Sequence, residues 1–476
     1  GKSAVDLFKS LKTGEIKAVW IACTNPAQSL PNQAAVREAL QCADYVVLQE
    51  AYANTDTADY ADLLLPATGW GEKYGTVTNS ERCISRVMPA IAAPGEARHD
   101  WQIVVDFARA LGKKLDHAAA ERLFPYGDAE AIFNEHRAST RGRDLDISGL
   151  SYALLERDGP QQWPYPEGAT SGKVRLYEDA VFPTADGKAR FVAIEHLPTA
   201  DTLSSAAPIS LLSGRMRDHW HGMSRTGTVP RLFNLEDEPL LAMHPCDMRH
   251  RSLDSGDLVR VSNARGEMNV RVAERPGLQK GRAWMPMHWG SQFMNSPGAN
   301  AVASDAIDPY SKQPELKHAA VQITKLDLPY PLAIIRRCPD QESALELMQR
   351  ARAALPRFAY ATLNLYGRSS PLVVFRASSA EAVAADLLQE MDVLFGIDGA
   401  EGAIVFADAK RHIAKKAISI EGRLLGVRLA GETLAQTWLK QAMAEDELDA
   451  SLIRFALAPS AKPPVSVAPR NIICKC

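Results

Sequence analysis

Over residues 1–115 the apolar positions fall into short runs that are apolar throughout, set between stretches with helical spacing. Ala4 to Leu11 reads as a helix and Ala18 to Ala22 as a strand. KAVWIACTNPAQSLPN closes that strand at Asn25-Pro26, and Asn32 to Cys42 reads as the next helix. DYVVLQEAYANTDTADYADLLLPAT then predicts strand, polar loop, short helix and strand. Asp100 to Leu111 predicts a closing helix with His99-Asp100 as its cap. Strands of this kind belong in a parallel sheet covered on both faces, with ligands beyond the carboxyl ends of the strands.

Residues 116–206 carry less pattern. A helix near Glu130 to Arg137 gives way to a Gly/Pro/Trp-rich stretch, Gly159 to Gly172, and short strands are expected near Val174 to Tyr177 and Ala189 to Val192. From 207 to 326 the texture changes to short β runs: PISLLS, DLVRVSNARGEMNVRVAER, GRAWMPMHW and AAVQITK. Turns at Asn263 to Gly266 and at Pro276-Gly277, with a short helical turn after His244-Pro245, predict a compact barrel. Residues 327–457 mix helices (Gln341 to Ala354, Ala380 to Leu394) with the strand PLVVF and a hairpin, HIAKKAISIEGRLLGVRLAG, turning at Glu421-Gly422. Residues 458–476 are a Pro/Ala/Ser linker ending in RNIICKC. The fold class expected is α/β: a layered parallel-sheet domain, a β-barrel, and a small α+β C-terminal module.

Composition narrows the partners. A 476-residue chain with 46% hydrophobic and 23% charged residues can bury a sizeable core, and a net charge of −3 gives no basic field, so nucleic acid is not an expected partner. There is no membrane-length apolar run and no signal-like start. The seven cysteines are irregularly spaced, which argues against a disulfide scaffold and fits a reducing compartment, so a cytoplasmic location is expected. The chain opens on Gly1 with its first elements already in mid-domain and stops at Cys476, so further segments are expected on both sides.

Candidate chemistry concentrates in LLSGRMRDHWHGMSRTG. Ser213-Gly214 ends a strand-like run and leads into Arg215, Arg217, His219, His221, Ser224, Arg225 and Thr226. Glycine lets backbone approach a ligand, and Arg and protonated His donate charge-assisted hydrogen bonds to phosphate. A polyphosphate site fits this density of donors; a charged surface loop is the alternative. The His-Trp-His spacing lacks the surrounding Cys, Asp and Glu of a zinc site. In the first domain, loops offer Asn25, Gln49, Glu50, Thr55, Asp56 and Thr57, and a further loop offers Glu72, Lys73, Asn79, Ser80, Glu81 and Arg82. At the end of the chain, Cys474 and Cys476 are two apart, so on an extended segment both thiolates point to one side, where one iron could use both. Incidental cysteines in a tail are the alternative.

These motifs carry a resemblance. SGRMRDHWHGMSRTG, NARGE, the Asn300 loop and DPYSKQPELKHAAV resemble the dinucleotide-binding barrel of the molybdopterin oxidoreductases. CTNP, TADYADLLLPATGWGEKYGTVTNSERCISR and PGEARHDW resemble the nucleotide-binding α/β domain of the same family. The likeness covers about residues 1–326 and is strongest to assimilatory nitrate reductases and their periplasmic relatives. It implies molybdenum held by two molybdopterin guanine dinucleotides. Its cofactor contacts carry over to Asn25, Gln49, Glu50, Lys73 and Asp100 in the first domain. In the barrel they carry over to Ser213, Gly214, Arg215, Met216, Arg217, His219, Trp220, His221, Gly222, Met287, Asn300 and Lys317. Relatives often have Asp where Glu50 stands. The hairpin near Glu421 resembles a small module of pyridine-nucleotide oxidoreductases and assimilatory nitrate reductases, and RNIICKC resembles the opening of a [2Fe-2S] module, with Cys474 and Cys476 as metal ligands.

The resemblance further implies that the molybdenum ligand, the catalytic residues and a [4Fe-4S] cluster lie upstream. Cys23, Cys42, Cys83 and Cys246 match no such motif, and core packing is expected for each. The activity implied is reduction of nitrate to nitrite, with electrons from a ferredoxin, a flavodoxin or an NADH-oxidising subunit passing through iron-sulfur clusters. A formate dehydrogenase shares the cofactor motifs. A noncatalytic electron-transfer scaffold of the same fold is expected to have lost phosphate donors that Arg215, Arg217, His219, Asn300 and Lys317 still supply.

Overall fold

A computed structural model describes residues 1–463 apart from 118, 369, 400 and 446–449; Cys474 and Cys476 lie outside the described residues. The first unit runs α1 (Ala4–Lys12), β1 (Ala18–Ala22), α2 (Pro26–Ser29), α3 (Gln33–Cys42), β2 (Tyr45–Glu50), β3 (Leu63–Pro66), and later α4 (Asp100–Lys114). Strands β1, β2 and β3 are parallel neighbours in that order. Helix α1 starts where the Ser3 hydroxyl accepts from the Asp6 amide, and it buries Val5, Phe8 and Leu11 at helical spacing against α3, Ile21, Val46 and Leu48. Trp20 points to the opposite face from Ile21 and meets Phe107 of α4 edge-on at 4.7 Å.

Coverage of the sheet is less complete than the apolar strands suggest. Leu63 and Leu64 of β3 are 39% and 48% exposed, because the described residues supply no second layer over that edge. His99 occupies the position before α4, yet its side chain does not cap the helix; its Nδ1 shares a hydrogen bond of 3.1 Å with Thr68 Oγ1.

Between the sheet and the barrel, β4 (Gly75–Thr78), β5 (Cys83–Val87) and β6 (Gln161–Gln162) form a small antiparallel sheet. With helices α5 (Ala120–Leu123), α6 (Ala129–Ser139) and α7 (Tyr152–Asp158) nearby, Ile84, Phe133, Leu150 and Tyr165 make a satellite core. The strands expected near Val174 to Tyr177 and Ala189 to Val192 do not form. Val174 is 81% and Phe191 98% exposed, and among the described residues no strand lies beside them to build a ladder. The segment is tied at its start by Arg82 to the Val174 carbonyl and by the Tyr177 hydroxyl to Asp144. It is tied again at its end, where the Asp201 carboxylate accepts from Arg265 and from Ala320 N, and the Asp201 carbonyl bonds His318 Nε2.

The barrel comprises β7 (Ile209–Gly214), β8 (Leu240–Met243), β9 (Leu258–Asn263), β10 (Gly266–Glu274), β11 (Arg282–Pro286) and β12 (His318–Lys325), with α8 (Pro245–Arg249) after β8. It closes in the order β10-β8-β11-β7-β12-β9. Alternate residues such as Val259 and Val261, Met268, Val270 and Val272, and Val321 and Ile323 point inward and are almost wholly buried. Each contributes roughly 2 kcal/mol of hydrophobic stabilisation. The strand β8 had no signal among the expected β runs.

The C-terminal module runs β13 (Tyr330–Arg337), α9 (Gln341–Ala351), β14 (Tyr360–Tyr366), β15 (Leu372–Ser379), α10 (Ala385–Leu394), β16 (Ala403–Asp408), β17 (Ile413–Ile420), β18 (Arg423–Ala430) and α11 (Gln436–Glu445). Its six strands form one antiparallel sheet, β14-β15-β13-β18-β17-β16. The expected helix to Ala354 stops at Ala351 and tightens into a 3-10 turn, Arg352–Arg357, since Pro356 has no N–H to continue the ladder. The helix expected from Ala380 begins only at Ala385. The hairpin turns at Glu421 and Gly422 with φ +52° and +74°, the positive pair that matches strand twist.

Module and barrel share one core. They also share a buried ionic cluster: Asp237 with Arg376 and Lys440, and Glu238 with Arg271 and the Tyr360 hydroxyl.

Candidate functional site

The chain leaves the carboxyl ends of the parallel strands through residues 23–25, 51–57 and 67–69, and polar side chains gather there. Gln49, near the end of β2, is 1% exposed; its Nε2 donates to Asp100 Oδ1 at 2.9 Å, while its Oε1 is buried without a partner among the described residues. Lys73 Nζ lies 2.8 Å from Asp100 Oδ2, and the Cys23 thiol donates to Oδ1 at 3.5 Å. Burial works to raise the Asp100 carboxyl, but hydrogen bonds from Lys73 and Gln49 outweigh it and hold the group below the usual carboxylate range. As the first residue of α4, Asp100 also meets the positive end of the helix dipole. Burial raises the Glu50 carboxyl, with nearby Asp100 adding to the effect, and among the described residues Glu50 makes no ion pair.

Cys23 and Cys42 are exposed, so neither packs in a core as expected; Cys83 and Cys246 are half-buried. Although Cys23 is exposed as a residue, its sulfur is partly covered, and that partial burial, then repulsion from Asp100, raises its pKa, which makes it a poor thiolate.

Several of the other loop candidates turn inward. Thr55, Asp56 and Thr57 are all buried. Thr57 N and Oγ1 donate to Asn25 Oδ1 at 3.0 and 2.7 Å, and Arg37 pairs with Asp56 at 3.4 Å. Glu72 accepts from the Gly69 amide, Asn79 from the amides of Glu81 and Cys83, and Arg82 donates to the carbonyls of Trp163, Lys173 and Val174. These residues shape the loops.

On the barrel side, the strand β7 ends at Gly214 and the chain folds into a tight loop with positive φ at His221 and Met223. His288, 0% exposed, holds that loop from behind. Its Nε2 accepts from Met216 N at 2.8 Å, so the ring proton sits on Nδ1, which donates to the His221 carbonyl at 2.6 Å. Burial first, then the charges of Arg215, His221 and Lys317, lower the pKa of His288. His219 is 4% exposed and packs against Phe233 and Trp289; burial pushes its pKa down to about 4, so at neutral pH it is not the cationic phosphate donor expected. Its Nδ1 shares a hydrogen bond with Thr226, and its Nε2 is buried without a partner among the described residues.

The remaining barrel candidates divide in two. Arg217 is taken up by Asp218 at 2.9 Å, Ser213 Oγ donates to the Leu316 carbonyl, and Met287 N donates to the Gly214 carbonyl. Arg215 stands 4.8 Å over the half-exposed Trp220 ring, and Lys317 Nζ lies 3.6 Å from the Met287 sulfur. Among the described residues, Arg215, Arg225 and Lys317 have no carboxylate partner. Arg215 and Arg225 both act on His221, whose pKa is lowered by burial and then by these cations.

Helix α2 joins the two surfaces. Gln28, 5% exposed, accepts from Asn25 Nδ2 at 3.1 Å and donates to the His288 carbonyl at 2.9 Å. It fits because Gly222 and Gly290 have no side chains: a β-carbon on Gly222 would lie 1.9 Å from Gln28 Oε1. Asn300 Nδ2 donates to the carbonyls of Gln28 and Ser29, which makes Asn300 a tie between the domains. Gln28 and His288 were not foreseen; their only signal is position, beside CTNP and beside Met287. Among the described residues, no group of three or more His, Cys, Asp and Glu could hold a metal ion, and no helix is long and apolar enough to cross a membrane.

A parallel-sheet domain and a closed barrel, joined by a short helix between two polar surfaces, define the class. Residues 1–110 match the family described as molybdopterin oxidoreductase and residues 209–320 match the molydopterin dinucleotide binding domain; the chain belongs to the molybdopterin oxidoreductase family. It is 39% identical to a nitrate reductase of Klebsiella oxytoca, over 68% of this chain and 37% of that protein. It is 34% identical to the assimilatory nitrate reductase catalytic subunit of Bacillus subtilis, over 68% and 44%. It is 33% identical to the F420-dependent formate dehydrogenase subunit alpha of Methanocaldococcus jannaschii, over 65% and 43%. The chain therefore spans less than half the length of these relatives.

Proposed function

We propose that this chain binds the guanylated ends of a molybdopterin cofactor in an enzyme that reduces nitrate to nitrite during nitrate assimilation. The observation that carries the reading is the cluster of Arg215, Arg225 and Lys317 around neutral histidines, none of the three paired with a carboxylate among the described residues; the loop's own Asp218 is paired with Arg217. Like charges brought together repel, and an anionic phosphate relieves that repulsion. Across the junction, Gln49 Oε1 has no partner among the described residues, and the Glu50 carboxylate accepts from the Ala51 amide but makes no ion pair among them. Both are acceptors, matched to the N–H donors on the edge of guanine. The residues present thus fit a molecule with phosphates at one end and a donor-bearing base at the other.

Bound, the cofactor supplies the oxygen-atom and electron-transfer chemistry; the protein contributes binding and orientation. Lys73 and Asp100 hold Gln49 in place, and His288 keeps the Arg215 to Gly222 loop in one shape. The support for nitrate comes from the relatives that carry that name, and a formate dehydrogenase relative at 33% identity favours formate as the second reading. Arg215→Ala and Lys317→Ala should each lower pterin and molybdenum content, together with activity, by about tenfold, the worth of one charge-assisted hydrogen bond. Nitrate and formate assayed side by side on the intact enzyme separate the two readings, and full cofactor content in both variants would remove the assigned contacts.

Electron supply belongs to the same proposal. Cys474 and Cys476 are offered as two ligands of a [2Fe-2S] cluster, fed by a ferredoxin, a flavodoxin or an NADH-oxidising subunit, alongside a [4Fe-4S] cluster outside this chain. Replacing both cysteines with Ser should abolish one [2Fe-2S] signal in the electron paramagnetic resonance spectrum and leave the molybdenum signal; an unaltered spectrum refutes the assignment.

A further inference from the structure

The loop from Met287 to Asn300 carries His288 and is fastened to helix α2 at both ends, by Gln28 to the His288 carbonyl and by Asn300 to the carbonyls of Gln28 and Ser29. Its middle is fastened to a different part of the chain. The Phe293 carbonyl accepts from Leu363 N at 2.8 Å, and Asn295 N donates to the Ala361 carbonyl at 3.1 Å. The Asn295 side chain adds two more bonds: Oδ1 accepts from Ala361 N at 3.1 Å and Nδ2 donates to the Phe358 carbonyl at 2.7 Å. Met294 bridges Thr362 in antiparallel register. Strand β14 is the last strand of the module's sheet, so the loop acts as a further rung on an edge that would otherwise be unpaired.

A second fastening meets the loop one turn earlier. Arg352, just after α9, donates from Nε to the Gln292 carbonyl at 3.2 Å. The carboxylates of Asp56 and Asp59 in the first domain also act on its charge. Asp56 is paired with Arg37, whose guanidinium donates to Ser291 Oγ at 3.0 Å. Residues 291–295 are therefore where the parallel-sheet domain, the barrel and the C-terminal module meet.

We propose that Arg352 and Asn295 are positioning residues through which the C-terminal sheet module holds the His288 loop against helix α2, and so holds the cofactor surface in shape. This rests on the cofactor reading above. The module then works as a third wall of the site, in addition to any part it plays in electron delivery.

The test is hydrogen–deuterium exchange on the full chain, comparing wild type with Arg352→Gln and Asn295→Ala, together with pterin content of the isolated proteins. Amides of residues 289–301 should exchange about tenfold faster in each variant, as loss of a net hydrogen bond permits. The amides of β9 and β10 and the overall denaturation midpoint should stay at wild-type values, which separates positioning from general destabilisation. Pterin content should fall, and Arg352→Lys, which keeps the charge near Asp56 and Asp59, should restore much of it. Unchanged exchange over 289–301 in both variants overturns the proposal. So does faster exchange with wild-type pterin content, provided that Arg215→Ala and Lys317→Ala do lose pterin; if those two retain it, the failure belongs to the cofactor reading.

Discussion

Asp237→Ala should lower the stability of the barrel and module by about 3 kcal/mol or more. The Asp237 carboxylate pairs with Arg376, whose side chain is 4% exposed, and with Lys440, 9% exposed. Removing it leaves two buried cations with only Glu238, 4.0 Å from Arg376 Nε and already paired with Arg271, to balance them. Such a break costs far more than the pair ever contributed, because the penalty is the desolvation of an unbalanced charge. The Lys440 ammonium also lies 4.3 Å over the Tyr366 ring, and the Arg376 Nη1 donates to Asn364 at 2.8 Å, so neither cation can swing out to water without disturbing strands β14 and β15. A chemical denaturation midpoint equal to wild type would show that the cluster is dispensable. Replacing Asp237, Arg376 and Lys440 together by apolar residues of similar size should be much milder, since no charge is then left unpaired.

The same cluster sets a pH dependence. Burial works to raise the Asp237 carboxyl, yet Arg376 and Lys440 outweigh it, so the folded value lies below that of the unfolded chain. Its stabilising effect is then fully present above the unfolded value of about 3.9 and disappears as pH falls through the lower folded value. Denaturation between about pH 5 and 8 should show no change traceable to Asp237.

Gly298→Ala should cost on the order of 3 kcal/mol and open the His288 loop. Gly298 has φ +91° and ψ −168°, a region open in practice to glycine alone, and a β-carbon there would lie 2.0 Å from the Trp289 carbonyl oxygen. The obstacle is backbone, so no side-chain rotation relieves it. The loop must shift, and Asn300, two residues on, loses its hold on Gln28 and Ser29. Gly277→Ala is the matched control, with nothing within 4 Å of its β-carbon; it should change stability by less than about 0.5 kcal/mol. Equal denaturation midpoints for the two variants would contradict this account.

Much of the architecture was legible in local pattern. The run Ala18 to Ala22, the helix ending at Cys42 and the hairpin at Glu421-Gly422 all fall where spacing and turn chemistry put them. The short strand β8 was not legible, since four apolar residues before a proline carry little period of their own. The strands expected at Val174 to Tyr177 and Ala189 to Val192 fail for the complementary reason: β-forming residues make a strand only where a neighbour supplies hydrogen bonds.

The candidate site divides along the same line. Residue types and order alone determined that Arg215 and Lys317 belong to polar loops beside strands, because glycines, cations and apolar runs act over a few neighbouring positions. Gln49 and Glu50, read as loop residues, are instead the last two residues of β2 and pair with β3. Which of them are free to meet a ligand was decided by tertiary structure. Arg217 is paired with its neighbour Asp218 while its side chain stays 62% exposed, His219 is buried and neutral, and Asn300 is spent on helix α2. Gln28 and His288 matter through partners far along the chain, 260 residues apart in their own contact. Burial, protonation and pairing depend on what the fold brings from such distances, and no local pattern records it.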